Sequence, residues 1–262
     1  MEFKEVLGIR RSIRFFDTER PVEREKIQKI LEAMRIASCA VNAHWLRAVV
    51  VNRNDIPPDT MEALKVPVAA LVQDLAPVHI YCYLDTAIVN RIKGTRLREL
   101  VDVGALAPSH GWSHKFVDEF VYPQVLEPLT RSPAYAIAAA FDCGGAATQG
   151  LLTAFDEGLG ACWTSFNMDA AKQLLEIPDE WLPIYVMNVG YPLESREAGG
   201  QRPRPAFEEL YFEGKASRPF RRDPLVVKEL EQQKLFTTPA KSPNPERMKE
   251  IRELARKLGL PE

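Results

Sequence analysis

Residues 134–166 read AYAIAAAFDCGGAATQGLLTAFDEGLGACWTSF. From Ala134 to Glu157 the stretch is long and rich in alanine and other small residues, a composition that predicts one continuous helix. Gly158-Leu159-Gly160 ends it, because glycine tolerates the left-handed conformation that helix termini often need. Ala161 to Phe166 then predicts a short strand or loop. Gly144, Gly145, Ala146 and Ala147 would let a second helix come close. The helix is therefore expected at the centre of the molecule, buried against its neighbours or across a subunit interface.

Outward from this helix, the pattern alternates between helix and strand. Downstream, a helix over about Asp169 to Glu176 stops at Pro178, and Ile184 to Val189 predicts a strand closed by Gly190-Tyr191-Pro192. Upstream, Val78 to Leu84 and Leu46 to Val51 predict buried strands, with a helical piece interrupted by Pro67 between them. Pro21 opens a helix whose Ile27, Ile30, Leu31 and Met34 share one apolar face, and residues 2–7 form a short first helix. Residues 91–131 are helical in pattern but broken at Gly104 to Gly111. After Gly199 proline and basic residues become frequent and apolar periodicity weakens until Glu246. Met248, Ile251, Leu254, Ala255 and Leu258 mark a last amphipathic helix. The 262 residues are expected as one main domain over 1–212 and an extension over 213–262 that packs on the body or on a partner subunit.

Composition narrows the function. A net charge of -2 argues against a general nucleic-acid binder. Cys39, Cys82, Cys143 and Cys162 form no C-x-x-C pair, so neither zinc nor an iron–sulfur cluster is signalled. They read as buried thiols in a reducing compartment. The opening MEFKEVLGIRR is not a signal peptide, and no stretch approaches the roughly 20 apolar residues of a membrane span, so a cytoplasmic protein is expected.

Three segments have the residue types for chemistry. Arg10-Arg11-Ser12-Ile13-Arg14, with Arg202 and Arg204 far downstream, offers planar guanidinium donors suited to phosphate oxygens. Taken alone, this cluster more often describes a solvated basic turn. Ala37 to Trp45 lies between a helix and a strand, where ligand loops commonly sit, and carries Cys39, Asn42 and His44. The third is Glu157 to Phe166, whose backbone N–H groups could meet an electron-rich ring edge. There is no G-x-S-x-G of a hydrolase and no G-x-G-x-x-G of a dinucleotide fold. His79, inside an apolar strand pattern, reads as a satisfied core histidine.

In this order, and with Ile177-Pro178, Gly190-Tyr191-Pro192 and Arg202-Pro203-Arg204-Pro205, the segments resemble the nitroreductase family of flavoproteins across residues 3–212. The resemblance implies an α+β fold: a three-layer α/β/α sandwich with a mixed, mostly antiparallel sheet surrounded by helices. It implies FMN as cofactor, NADH or NADPH as transient electron donor, and a homodimer with FMN at the subunit interface. Arg10, Arg11, Arg202 and Arg204 would bind the phosphate and ribityl chain, with Ser12 nearby. Arg14 would sit at the pyrimidine edge, where reduced flavin builds negative charge. Cys39, Asn42 and His44 would reach the flavin of the other subunit. Trp163, Thr164 and Ser165 would line the ring, with a backbone N–H near Ser165 facing N5.

The departures from the family pattern bear on substrate. Ser38-Cys39 stands for Pro-Ser, His44-Trp45 for Gln-Pro, and Ser165 and Phe166 for glycines. Phe166 is expected to narrow the space over the ring. His110, Trp112, His114 and Phe120 are candidates for a substrate lid, or equally for packing aromatics. The implied activity is hydride transfer from NAD(P)H through flavin N5 to a nitro compound or quinone. The alternatives are reductive dehalogenation, ene reduction or flavin fragmentation on the same scaffold, and a non-enzymatic flavin-binding module.

Overall fold

The computed structural model describes residues 2–261. In chain order its elements are α1 (Phe3–Ile9), α2 (Arg24–Arg35), β1 (Leu46–Asn52), α3 (Pro58–Leu64), α4 (Ala70–Leu75), β2 (Val78–Asp85), α5 (Ile88–Ile92) and α6 (Thr95–Asp102). A helical run comes next in three pieces: α7 (His114–Phe116), a π-helical stretch over Val117–Leu126, and α8 (Glu127–Leu129). Then come α9 (Pro133–Asp156), β3 (Gly160–Thr164), α10 (Met168–Leu174), β4 (Trp181–Gly190), α11 (Phe207–Leu210), α12 (Pro224–Gln232) and α13 (Pro245–Lys257).

The four strands form one sheet in the order β1-β2-β4-β3, every neighbouring pair antiparallel. β2 is buried along its whole length, as its apolar composition requires. Its side chains alternate between two cores. Val78, Ile80 and Cys82 join Met187 and Val189 of β4 against Ile27, Ile30 and Met34 of α2 and Ala146 and Ala154 of α9. Tyr81 and Tyr83 join Val51 and Val186 on the opposite face, against Leu64 of α3 and Ala171 of α10. A further core gathers Ile13, Phe15, Phe16 and Cys162 with Val72 and Leu75 of α4 and Leu254 of α13. Helices thus cover both faces, and the architecture is the expected three-layer α+β sandwich. Fully burying one such Ile, Leu or Met stabilises by about 1.5–3 kcal/mol.

The join between α9 and β3 sets where the basic segment lies. Gly158 takes φ 81°, and the N–H of Leu159 donates to the carbonyl of Ala154 at 2.9 Å, which closes the helix. Leu159 is then fully buried. Gly160 leaves room for Ile13, whose Cβ would lie 2.7 Å from a Cβ added there. Ser12 forms a parallel bridge with Ala161, and the N–H of Ile13 donates to the Ala161 carbonyl at 3.1 Å. Residues 10–14 therefore run along the outer edge of β3.

Three boundaries differ from the sequence reading. The helix expected from Pro21 begins at Arg24, with Glu23 extended before it. β4 begins at Trp181, ahead of Ile184. α12 lies where periodicity is weak; it is started by Asp223, whose side chain accepts the N–H of Leu225 at 2.8 Å, and by Pro224 in its first turn. Among the described residues no helix is long and apolar enough to cross a membrane.

Candidate functional site

The edge of β3 gathers the arginines that the sequence separates by almost the whole chain. Burial lowers the affinity of Arg10 for its proton, and Arg204 adds to that effect. Arg11 shows the same direction, from burial first and then from Arg10, Arg202 and Arg204. Arg14 is exposed, and its guanidinium reaches only the Ser12 carbonyl at 3.4 Å. Arg204 donates to the carbonyl of its neighbour Pro203 at 2.9 Å. Among the described residues, no carboxylate forms an ion pair with Arg10, Arg14, Arg202 or Arg204. Such a collection of like charges is unfavourable until an anion joins it.

Arg11 departs from the expected phosphate role. It is 8% exposed. Its Nε donates to the Gly200 carbonyl at 3.0 Å, Nη1 to the carbonyls of Gly8 and Arg10 at 2.7 and 2.8 Å, and Nη2 to Thr237 Oγ1 at 2.7 Å. With five N–H donors in all, the guanidinium is almost saturated by the chain itself. Arg11 ties three segments together and leaves little to offer a ligand.

Trp163, Thr164 and Ser165, all half-buried, lie at the end of β3 beside this cluster. Asn188 of β4 holds them from below: its Nδ2 donates to Thr164 Oγ1 at 2.8 Å and to the Cys162 carbonyl at 3.0 Å. Nδ1 of His79 bonds Oδ1 of Asn188 at 2.9 Å. Gln73 Nε2 donates to the Ser165 carbonyl at 3.3 Å. The Cys162 thiol sits among Arg14, Ser12 and Arg10, and burial raises its pKa against their influence. Phe166 does not stand over this surface. It is 2% exposed and meets Tyr81 and Tyr83 edge-on, with centroids 5.0 and 6.0 Å away. Its bulk fills the core between β2 and α10, so the expected narrowing above the ring does not arise from it.

The loop after α2 builds a second region. The carboxylate of Asp142 accepts the N–H of Ala40 at 2.8 Å, and Cys39 Sγ accepts the N–H of His44 at 3.2 Å. His44 Nε2 bonds Asn42 Oδ1 at 2.7 Å. Val41, Asn42 and His44 all take positive φ, of 50°, 52° and 54°. For β-branched Val41 this is a strained backbone, of the kind concentrated at ligand loops. Burial lowers the His44 pKa, helped by Arg96, Arg47 and Arg35, and burial raises that of the Cys39 thiol. A cavity of about 480 Å³ opens here, lined by Met34, Cys39, Asn42, His44, Arg96 and Cys143 among others. None of residues 10–14, 163–165 or 202–204 lines it.

The aromatic segment over 110–120 meets the second region at Trp112, which packs on the core that holds Ala43 and Trp45. His110 is exposed beside Ser109, and His114 Nε2 pairs with the exposed Asp102 at 2.7 Å. Trp112 packs edge-on against Phe116 at 5.6 Å, and Phe116 stacks on Phe120 at 5.3 Å. His110, Trp112, His114 and Phe120 are not among the residues that line the cavity.

Sequence reasoning missed Glu194. Its side chain is fully buried, and its Oε1 accepts the backbone N–H groups of Arg14 and Phe15. Nothing local marks this role: the partners lie 180 and 179 residues away. Asn188 and Gln73 were missed as well, although a polar residue inside an apolar strand or helix face is a usable signal.

A family model described as the Nitroreductase family matches residues 8–79 and 127–191. Glu194, the 199–204 stretch and the tail lie beyond the matched residues. A Methanothermobacter thermautotrophicus protein named for NADH dehydrogenase/NAD(P)H nitroreductase is 26% identical over 200 residues, 74% of this chain and 80% of that protein. A crystal structure of a nitroreductase family protein from Streptococcus pneumoniae TIGR4 superimposes with TM-score 0.62 at 21% identity, over 81% of this chain and all of the other. A structure from Exiguobacterium sibiricum 255-15, described as a nitroreductase in complex with FMN, gives TM-score 0.57 at 18% identity, over 74% of this chain and 90% of the other.

Proposed function

This chain belongs to the nitroreductase family, and from that premise we propose that it is an FMN-dependent oxidoreductase. It takes hydride from NADH or NADPH and delivers it to an electron-poor acceptor such as a nitro compound or quinone. The observation that carries the reading is the edge of β3, where Arg10, Arg14, Arg202 and Arg204 collect without a carboxylate partner. This donor set fits FMN. Guanidinium groups with free N–H donors suit a phosphate dianion, and the polar end of β3 beside them suits the edge of a heteroaromatic ring.

FMN bound here would supply hydride transfer at its N5. The chain's own residues bind, orient and balance charge. Arg10, Arg202 and Arg204 hold the phosphate, while the exposed Arg14 offers a cation where negative charge develops on reduction. Asn188 holds the Cys162 carbonyl and the Thr164 hydroxyl and Gln73 holds the Ser165 carbonyl, so the backbone N–H groups between them keep one direction without reorganising during reaction.

A homodimer belongs to the same proposal. Cys39, Asn42 and His44 line a cavity that no residue of the arginine edge lines, and in the proposed dimer they meet the flavin of the other subunit. α9 supports that arrangement, because Ile137 and Phe141 on its outer face are 73% and 83% exposed.

The test is direct. The purified protein should be yellow, should oxidise NADH or NADPH, and should do so faster with a nitroaromatic acceptor. A flavin that neither nicotinamide reduces refutes the reductase activity and leaves a flavin-binding module. The double substitution Arg202→Ala, Arg204→Ala should weaken FMN binding by about 100-fold or more, the loss of two charge-assisted contacts. Unchanged affinity would refute their phosphate role.

A further inference from the structure

The tail and the phosphate-binding arginines meet in an unexpected way. The two arginine-bearing segments, 10–14 and 202–204, hardly touch each other through hydrogen bonds of their own. Residues 235–257 hold them in place. Gln201, just before Arg202, is clasped on both sides: its N–H donates to the Thr238 carbonyl at 2.9 Å, and its carbonyl accepts the N–H of Ala240 at 2.8 Å. Its side chain adds bonds with the Leu235 carbonyl at 3.1 Å and the Thr237 N–H at 3.1 Å. Thr237 also accepts from Arg11, which reaches back to Gly200. On the other side, Arg247 of α13 pairs with the buried Glu194 and with Glu250 at 2.8 Å. Glu194 in turn fixes the backbone of Arg14 and Phe15. Asn244 donates to the Gly199 carbonyl at 3.0 Å. These bonds converge on the residues that flank the phosphate-facing arginines.

We propose that the C-terminal segment 235–257 is a built-in part of the flavin phosphate site, with Arg247, Glu194 and Thr237 as positioning residues that hold the arginine segments together. The physical need is clear. Arg10, Arg202 and Arg204 repel one another, and a site open to phosphate requires these three guanidinium groups to stay converged before the anion arrives. Arg247 is well placed for this: its side chain lies against Gly199, just ahead of Arg202, and its pair with the buried Glu194 holds the far end of the segment that begins at Arg10. This role rests on the proposed binding of FMN, and it assigns to the tail a selectivity for phosphorylated over unphosphorylated flavin.

The experiment dialyses the full-length chain against FMN and, separately, against riboflavin, which lacks the phosphate. Arg247→Met is expected to weaken FMN binding by about tenfold or more and riboflavin, which loses only the ring-edge support through Arg14, by a clearly smaller factor. Arg247→Lys, which keeps the charge, is expected to recover part of the loss. Thr237→Val, a near-isosteric change, should produce a smaller loss that is still selective for FMN, and it decides the matter if Arg247→Met fails to fold. Unchanged FMN affinity in the folded variants, or equal losses for FMN and riboflavin, overturns the positioning role. Failure of the unaltered protein to bind either flavin overturns the FMN reading itself, and the two failures are therefore distinct.

Discussion

His79 and Asn188 face each other across β2 and β4, and through Asn188 the pair supports the loop at Trp163–Ser165. Burial lowers the His79 imidazole from 6.5 to about 4, and its bond to Asn188 opposes this only in part. The native ring therefore stays neutral where an unfolded chain would already take up a proton. Stability is full above the unfolded value and falls as pH drops through the interval, by about 2 kcal/mol between pH 6.5 and 5. His79→Gln keeps a donor for Asn188 but does not titrate. Its urea midpoint should hold steady from neutral pH to about pH 5, while that of the unaltered protein declines. Parallel declines in both would show that His79 does not govern acid stability. At this scale the sequence is only partly legible. The R-R-S-x-R pattern points to a basic site, but not to which arginine faces outward. Arg11 turns inward because Gly200 and Thr237, 189 and 226 residues away, offer acceptors there. Phe166 escapes the sequence for the same reason: its partners Tyr81 and Tyr83 lie far away on β2, and nothing beside it marks that core.

At the scale of elements, Gly158-Leu159-Gly160 joins a helix end, a core residue and a close approach in three consecutive positions. The two glycines serve different ends, and substitution separates them. Gly158 needs its positive φ but has nothing within 4 Å of an added Cβ. Gly158→Ala should cost about 1 kcal/mol of stability and leave flavin affinity unchanged. Gly160→Ala drives a methyl into the branched side chain of Ile13, 2.7 to 2.8 Å away. It should cost about 1–3 kcal/mol and push segment 10–14 off the edge of β3. Thermal unfolding and FMN dialysis on the two variants check this, and full FMN affinity in Gly160→Ala would mean that the β3 edge does not position the arginines. Most elements are legible because their period is strong. β2 and β4 alternate between two apolar cores, and α2 keeps one apolar face. α12 escapes because it has no buried residue to impose a period. The Asp223-Pro224 pair is its one local mark.

For the whole molecule, α9 matters most, because it has two apolar faces and the chain covers only one. Tyr135, Ala139, Cys143, Ala146, Gly150 and Ala154 are buried at steps of three and four, against the sheet and α2. Ile137 and Phe141 lie on the other side, with Gly144 and Gly145 after them, which have nothing within 4 Å of an added Cβ. A helix that is apolar all round is normally covered all round. Glycine inside a helix costs about 1 kcal/mol against alanine, and intramolecular packing gives these two no compensation. In the proposed dimer, close approach by a second copy would supply both the cover and the reason, and it would carry the 39–44 loop toward the partner's arginine edge. Phe141→Glu places a charge in the middle of that face while leaving the chain's own core untouched. It should weaken self-association by about 2 kcal/mol or more, the scale of a central interface residue. Sedimentation velocity should show a shift from dimer to monomer at micromolar concentration, with bound flavin lost in step, as the proposed shared site requires. A dimer that persists with Phe141→Glu would move the interface elsewhere. A monomer that keeps its flavin would refute the shared site.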